Sequence, residues 1–378
     1  VNVLVVARSL PAHHLGGMET LAADLVNAFA SGGASAHVLT TPSSRPLGLH
    51  PSVNVHVVDA APGVYSRAWW RGARAFAEGM WTANGPILSV SVAARSMLEP
   101  ARRWGVPVVM QAHGTAWAEI KTKLASRELL RTASAVRNGV ALARDLVDYQ
   151  RYDRVVAVGA SVSRALRCGV YRSIPRDRVV EIPNGVPTDV FRPDWPAAAE
   201  TRAARRWTED AFVVATAGRL HPTKGFDDLI EAIADVRRRL KPRPTHLVIM
   251  GDGADRDRLE THALRCGVEV TFTGALLRAE VARTLVAADL FVCPSRRLEG
   301  LPLAVLEALA CGVPCIVTDT VELGADLVTA AVVARRDVPG LAGAITAAAL
   351  EPHRRVSLLP AAYRLGACAT RYLEVLGA

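Results

Sequence analysis

Two α/β domains, each a doubly wound parallel sheet, are the fold that this 378-residue sequence predicts. Three observations carry it. Short and nearly unbroken apolar runs recur along the chain, the signature of strands covered on both faces. Stretches with apolar residues at helical spacing separate them. The series then starts again near residue 211, after the proline-rich passage "IPNGVPTDVFRPDWP" (182–196), which shows few signs of regular structure and predicts a connector.

In the first half the predicted strands are "VNVLVVA" (1–7), "AHVLTT" (36–41), "VNVHVVD" (53–59), "PILSVSV" (86–92), "VPVVMQA" (106–112), "RVVAVG" (154–159) and "VVEIP" (179–183). The clearest helical patterns between them lie at 18–31 and 121–147. "VNVLVVARS" has no basic region leading into a longer apolar one, so it predicts a first strand rather than a secretory signal. The second half opens with "AFVVATAG" (211–218) and a helix over 224–240, in which Phe226, Leu229, Ile230, Ile233 and Leu240 share one face. "THLVIMG", a charged helix at 254–266, "VEVTFTG", a helix at 278–288, "LFVCPS", an apolar helix and "PCIVTD" continue the alternation. Domains are expected at 1–185 and 186–360, with a last helix within 361–378.

Half of the residues are hydrophobic and 21% are charged, a balance that builds a core and excludes a disordered chain. No apolar run reaches the roughly 18 residues that a membrane span needs. Six scattered cysteines form no Cys-x-x-Cys pair and no zinc spacing; they read as small buried hydrophobes of a cytoplasmic protein. The net charge of +9 is concentrated, since residues 60–175 hold 17 Lys and Arg against 7 Asp and Glu. A basic first domain fits an anionic partner, such as phospholipid headgroups at the inner face of a membrane. An arginine-rich composition from a GC-rich genome gives the same excess without any partner. Nucleic acid is not expected, because the arginines are not interleaved with stacking aromatics. "VYSRAWWRGARAFAEGMW" (64–81) mixes aromatics and arginines, and reads either as an acceptor- or membrane-facing segment or as a packed helix.

Ligands of such sheets bind beyond the strand ends, so the loops after strands are where functional residues belong. In "GRLHPTKG" (218–225), Gly218, Arg219 and Lys224 leave a strand just ahead of a helix start, whose free N–H groups favour an anion. Two cations there suit a diphosphate. No glycine precedes Lys224, so this is not a Walker A loop. "HHLGGMET" (13–20) places Gly16 and Gly17 at the first helix start, where a backbone can approach a ligand closely. It lacks the Gly-x-Gly-x-x-Gly of a dinucleotide site. "QAHGT" (111–115) sets His113 at a strand end, able to donate toward a ligand.

"SRRLEGLPLAVLEALACG" (295–312) carries Glu299 just before a helix and Glu307 a turn inside it. A carboxylate taken from water is costly unless something pairs with it. Gly300, Leu301 and Leu303 can present N–H groups beside Glu299, and Pro302 suits a first helical turn. Carboxylates accept from vicinal hydroxyls; set beside two cations, this pair suits a nucleoside diphosphate sugar. "DRD" (255–257) mimics an Asp-x-Asp metal motif, but it falls in the charged helix and reads as a solvated face.

"LGGME", "HGT", "IPNGV", "GRLHPTKG" and "EGLPLAVLE", in this order over nearly the whole chain, resemble the motifs of the retaining glycosyltransferases of family 4. The resemblance implies the GT-B architecture, two Rossmann-like domains facing a central cleft, with the last helix returning to the first domain. It implies transfer of a hexosyl unit from a nucleoside diphosphate sugar, UDP-linked by family habit, to a hydroxyl of a glycan, lipid-linked or natural-product acceptor. Arg219 and Lys224 would hold the diphosphate and Glu307 the ribose. Glu299, with the N–H groups of Gly300 and Leu301, would hold the sugar. Gly17 would approach the phosphates, and His113 would contact the sugar near the reacting carbon. No metal or other cofactor is implied, because the two cations neutralise the leaving group. A sugar-nucleotide 2-epimerase of the same architecture and a non-catalytic nucleotide- or sugar-binding protein are the alternatives.

Overall fold

The computed structural model describes residues 1–14, 16–82, 84–114, 120, 132–327, 331–351 and 356–377. It divides into two compact units, Val1–Gly185 with Leu365–Ala378, and Val186–Arg364. The first unit holds seven parallel strands: β1 (Asn2–Val6), β2 (Ser35–Thr40), β3 (Asn54–Val57), β4 (Ile87–Val90), β5 (Val108–Ala112), β6 (Arg154–Ala157) and β7 (Val179–Glu181). Their order is β3-β2-β1-β4-β5-β6-β7, so the chain reverses direction across the sheet between β1 and β4. β1 and β5 are wholly apolar runs apart from Asn2 and Gln111, because helices cover both faces. Between the strands lie α1 (Gly17–Ser31), α2 (Arg67–Gly79), α3 (Leu98–Arg103), α4 (Thr132–Tyr149) and α5 (Ala160–Arg167). The segment 121–131, expected to begin a helix, lies outside the described residues. The aromatic segment 64–81 folds as the packed helix α2: Ser66 caps it by accepting from Trp69 N, and Trp69 is fully buried with its Nε1 donating to Ala93 O at 3.1 Å.

The second unit begins with α6 (Trp195–Ala204), capped by Asp194, and then repeats the pattern with six parallel strands. These are β8 (Phe212–Ala217), β9 (Thr245–Met250), β10 (Val270–Gly274), β11 (Leu290–Cys293), β12 (Cys315–Thr318) and β13 (Ala331–Val333), in the order β10-β9-β8-β11-β12-β13. Here the reversal falls between β8 and β11. The helices are α7 (Phe226–Arg239), α8 (Arg256–Cys266), α9 (Arg278–Ala287), α10 (Leu303–Ala310) and α11 (Val338–Ala348). Strand alternation explains the unbroken apolar runs. Phe212 and Val214 face one core with Ile230 and Ile233 of α7, while Val213 and Ala215 face the other with Leu306 and Leu309 of α10. Each buried aliphatic side chain contributes about 1.5–3 kcal/mol, so both helices are held on the sheet by their apolar faces. β13 was not visible in the sequence: three residues at a sheet edge, paired on one side only, are too short for a periodic signal.

The second unit ends later than the expected residue 360. Val186 N donates to Tyr363 O at 2.9 Å, and Val186 pairs with Arg364, so the short turn Ala361–Tyr363 stays with this unit. Only from Leu365 does the chain form α12 (Leu365–Leu376), which packs on α1 and β5 of the first unit. The six cysteines are free thiols. Among the described residues no helix is long and apolar enough to cross a membrane.

Candidate functional site

In an open parallel sheet the loops that splay apart at a reversal of strand order leave a crevice beyond the strand ends. In the second unit those loops follow β8 and β11, and they are the loops that carry "GRLHPTKG" and "SRRLEG". Each is shaped by contacts with the other. Gly225 has φ 69°, and a Cβ there would lie 2.0 Å from Pro294 O, so only glycine lets the two loops touch. Arg296 N donates to Thr223 O at 2.8 Å, while the Arg296 guanidinium forks onto Asp228 (Nε to Oδ2, 2.8 Å) and reaches Asp227 at 3.0 Å. Gly251 makes a similar close approach, since a Cβ on it would meet Gly218 O at 2.0 Å.

On this frame Lys224 Nζ meets Glu299 Oε1 at 2.9 Å. Ser295 Oγ, on a fully buried residue, donates to the same oxygen at 3.0 Å, and Arg297 Nε stands 3.8 Å away. Glu299 N donates to Thr320 O at 2.9 Å, and the Thr318 and Thr320 hydroxyls both donate to Ser295 O, so the loop after β12 fixes the backbone beneath the carboxylate. The partner that the sequence left to a ligand is thus supplied by the protein itself. The Lys224 side chain runs past Gly218, whose Cβ position lies 3.8 Å from Lys224 Cε. Arg219 is exposed and makes no hydrogen bond or ion pair among the described residues, so its charge is turned to solvent.

Glu307 answers to a different cation. Arg278, at the start of α9, approaches it at 3.5 Å and lies 5.2 Å above the Phe191 ring. Glu299 and Glu307 therefore sit in two adjacent polar clusters, each built around its own base. The two helix starts also differ. α7 begins with Asp227 and Asp228, which offset its partial positive charge and hold Arg296. The helix start behind Lys224 therefore carries two acids already paired with an arginine, and no side chain caps its N–H groups. α10 has no acid in its first turn and no side-chain cap, and the Leu303 and Ala304 N–H groups have no acceptor within the helix. Gly300 and Leu303 stand at this helix start, and Leu301 between them has a partner of its own.

In the first unit, Gly16 is the extended residue before α1 and Gly17 its exposed first residue. Glu19 is buried in the same turn, with Oε2 2.5 Å from where a Gly16 Cβ would be, so this helix start too carries an acid. Leu15 and Thr115, within the quoted motifs, lie outside the described residues. His113 follows β5, and its Nε2 is hydrogen-bonded to Gln111 Oε1 at 2.8 Å. Burial pulls its pKa down to about 4, which keeps the ring neutral at pH 7. The "DRD" segment departs from the expected solvated face. Asp255 is buried and its two oxygens accept from Arg258 Nε and Nη2 at 2.6 and 2.7 Å. Among the described residues no cluster of three or more His, Cys, Asp or Glu could hold a metal ion.

The sequence reading missed Ser295, Arg296, Arg278 and Gln111. The paired arginines of "SRRLEG" and the lone glutamine in the apolar run "VPVVMQA" were the available signals.

Comparison with known proteins places this geometry. Residues 15–190 match the model of Glycosyltransferase Family 4, and residues 198–364 that of Glycosyl transferases group 1. A D-inositol 3-phosphate glycosyltransferase of Stackebrandtia nassauensis is 30% identical over 326 residues, 80% of this chain and 71% of that protein. The chain belongs to the family 4 glycosyltransferases. A GDP-mannose-dependent alpha-(1-6)-phosphatidylinositol monomannoside mannosyltransferase of Mycobacterium tuberculosis is 42% identical over 143 residues, a match that spans 36% of either chain. The fold is also that of the sucrose-phosphate synthase from Thermosynechococcus elongatus (TM-score 0.77, 21% identity, 99% of this chain and 98% of that one). The chain therefore has two Rossmann-like domains of the GT-B class.

Proposed function

We propose that the protein transfers a hexosyl unit, with retention at the anomeric carbon, from a nucleoside diphosphate sugar to an acceptor hydroxyl. One observation carries the reading. The loops after β8 and β11, at the reversal of the second sheet, set Lys224 against Glu299 at 2.9 Å, beside the solvent-facing charge of Arg219. Leaving-group departure builds negative charge on the diphosphate. Arg219, Lys224 and the open start of α10 offer preorganised positive charge for it, the usual large contribution in such chemistry. Glu299 then accepts from hydroxyls of the sugar and Glu307 from the ribose. With the retention that the motifs imply, the acceptor hydroxyl attacks on the face the diphosphate leaves, and the departing phosphate takes its proton.

The donor is UDP- or GDP-linked: a relative uses GDP-mannose, and UDP is the expectation from the motifs. A lipid-linked or phosphate-bearing acceptor suits the relatives, which are named for a phosphatidylinositol mannoside and for inositol 3-phosphate. The basic stretch 60–175 suits work at the cytoplasmic face of a membrane. The first unit is the acceptor side, and the donor needs no metal. The test is nucleotide release from a set of UDP- and GDP-sugars, with and without candidate acceptors, followed by mass spectrometry and anomeric NMR of the product. Acceptor-dependent release with an α-linked product from an α-linked donor is expected. An epimerised nucleotide sugar formed from donor alone, with no lasting nucleotide release, would establish the epimerase instead.

A further inference from the structure

Apart from the donor loops, the first unit contains a buried polar chain that the reaction as described does not use. Gln111 stands in the otherwise apolar strand β5, and Tyr372 reaches it from α12; both are fully buried. Gln111 Nε2 donates to Tyr372 Oη at 2.7 Å, and Gln111 Oε1 accepts from His113 Nε2 at 2.8 Å. His113 is the first residue after the strand, and its imidazole lies against the amide of Gln111, the strand's penultimate residue. A buried amide is costly unless both its ends are satisfied. Here one end is satisfied by a helix more than 250 residues away in the chain, and the other by the histidine that the motifs place at the reacting sugar.

We propose that Gln111 and Tyr372 are positioning residues for His113: they hold its ring through Nε2 as the Nε2–H tautomer and leave Nδ1 as the acceptor nitrogen that meets a sugar hydroxyl. The inference rests on the glycosyl-transfer reading above. It also explains the choice of an amide. A carboxylate at 111 would favour the imidazolium, and Nδ1 would then be a donor; the neutral amide takes the Nε2 proton without that bias. Tyr372 matters because the amide keeps its orientation only while its NH2 end has an acceptor. Without the phenol oxygen the amide is free to turn, and the histidine tautomer with it. α12 thereby contributes to the site of a unit whose other elements lie at the far end of the chain.

The test uses the full chain with ¹⁵N-labelled histidine, the His113 signals being assigned by their loss in His113→Gln. Tyr372→Phe keeps the ring and removes only the oxygen. It is expected to show a mixture of His113 tautomers and a kcat lowered roughly tenfold, with donor KM moved less than about threefold. Gln111→Glu is expected to raise the His113 titration midpoint by at least about one pH unit, and to carry the acid limb of the kcat profile with it. Unchanged ¹⁵N signals in folded Tyr372→Phe would overturn the proposal and leave Gln111 and Tyr372 as packing residues. Should Gln111→Glu not fold, Tyr372→Phe decides alone. The tautomer is read without substrate. A wild-type protein that releases nucleotide from no sugar donor would refute the glycosyl-transfer reading, while the spectra still judge the positioning.

Discussion

Replacing Lys224 by methionine separates the two things its ammonium does. In the structure it neutralises Glu299 at 2.9 Å, with side chains 27% and 14% exposed. Coulomb attraction at that distance is roughly 6 kcal/mol for an effective dielectric of 20. Desolvation and side-chain ordering offset most of it. Ser295 remains as a donor to Glu299 at 3.0 Å and Arg297 stays nearby, so the carboxylate is not abandoned. The expected loss of stability is therefore only about 1–2 kcal/mol. Loss of a preorganised cation from the departing diphosphate is larger, about 2–4 kcal/mol, or roughly 30- to 900-fold in kcat/KM. Steady-state nucleotide release and thermal melts on Lys224→Met, Glu299→Gln and the double variant measure both effects. If Lys224 acts on the diphosphate, the double variant is slower than Glu299→Gln alone. Equal rates for those two variants, with only the melting point lowered in Lys224→Met, would refute the reasoning and make Lys224 a structural counter-ion.

Arg278→Met removes one partner of Glu307 and is expected to raise donor KM roughly three- to tenfold with kcat nearly kept; titration with the free nucleoside diphosphate checks it. Gly225→Ala places a methyl against Pro294 O in a left-handed backbone, and should cost about 3 kcal/mol or prevent folding, as denaturant unfolding will report. His113 has a folded pKa of about 4 against an ordinary 6.5, so the unfolded chain binds its proton first as pH falls. Its contribution to stability is full above pH 6.5 and is lost progressively down to about 4, by roughly 3 kcal/mol. Comparing wild type with His113→Gln across that window isolates it from other histidines. Turnover in EDTA should stay within about twofold of that in magnesium, if cationic side chains alone neutralise the leaving group; a loss that magnesium restores would show that a metal is needed.

Much of the fold was legible because its signals are local. Seven runs in the first half and five in the second became strands, since a parallel strand buried on both faces must be apolar at successive positions. The loops after β8 and β11 were also legible, as glycine and charged residues stood where apolar runs ended. Partners were not. "DRD" looked solvated because its local partner Arg258, three residues from Asp255, is visible in the sequence but the burial of Asp255 is not. The two acids at the start of α7 could not be paired from the sequence, because their partner Arg296 lies nearly 70 residues on.

What the sequence by itself determined is the alternation of strands and helices, the restart after the connector, and the placement of charged residues at strand ends. Periodic burial and chain connectivity dictate these, and both are written in neighbouring residues. The tertiary structure alone decided which base meets which acid, which helix start stays open, and that a tyrosine near the C-terminus reaches the glutamine beside His113. Such pairings depend on distances in space between loops that fold next to one another from remote parts of the chain, and composition leaves those distances open.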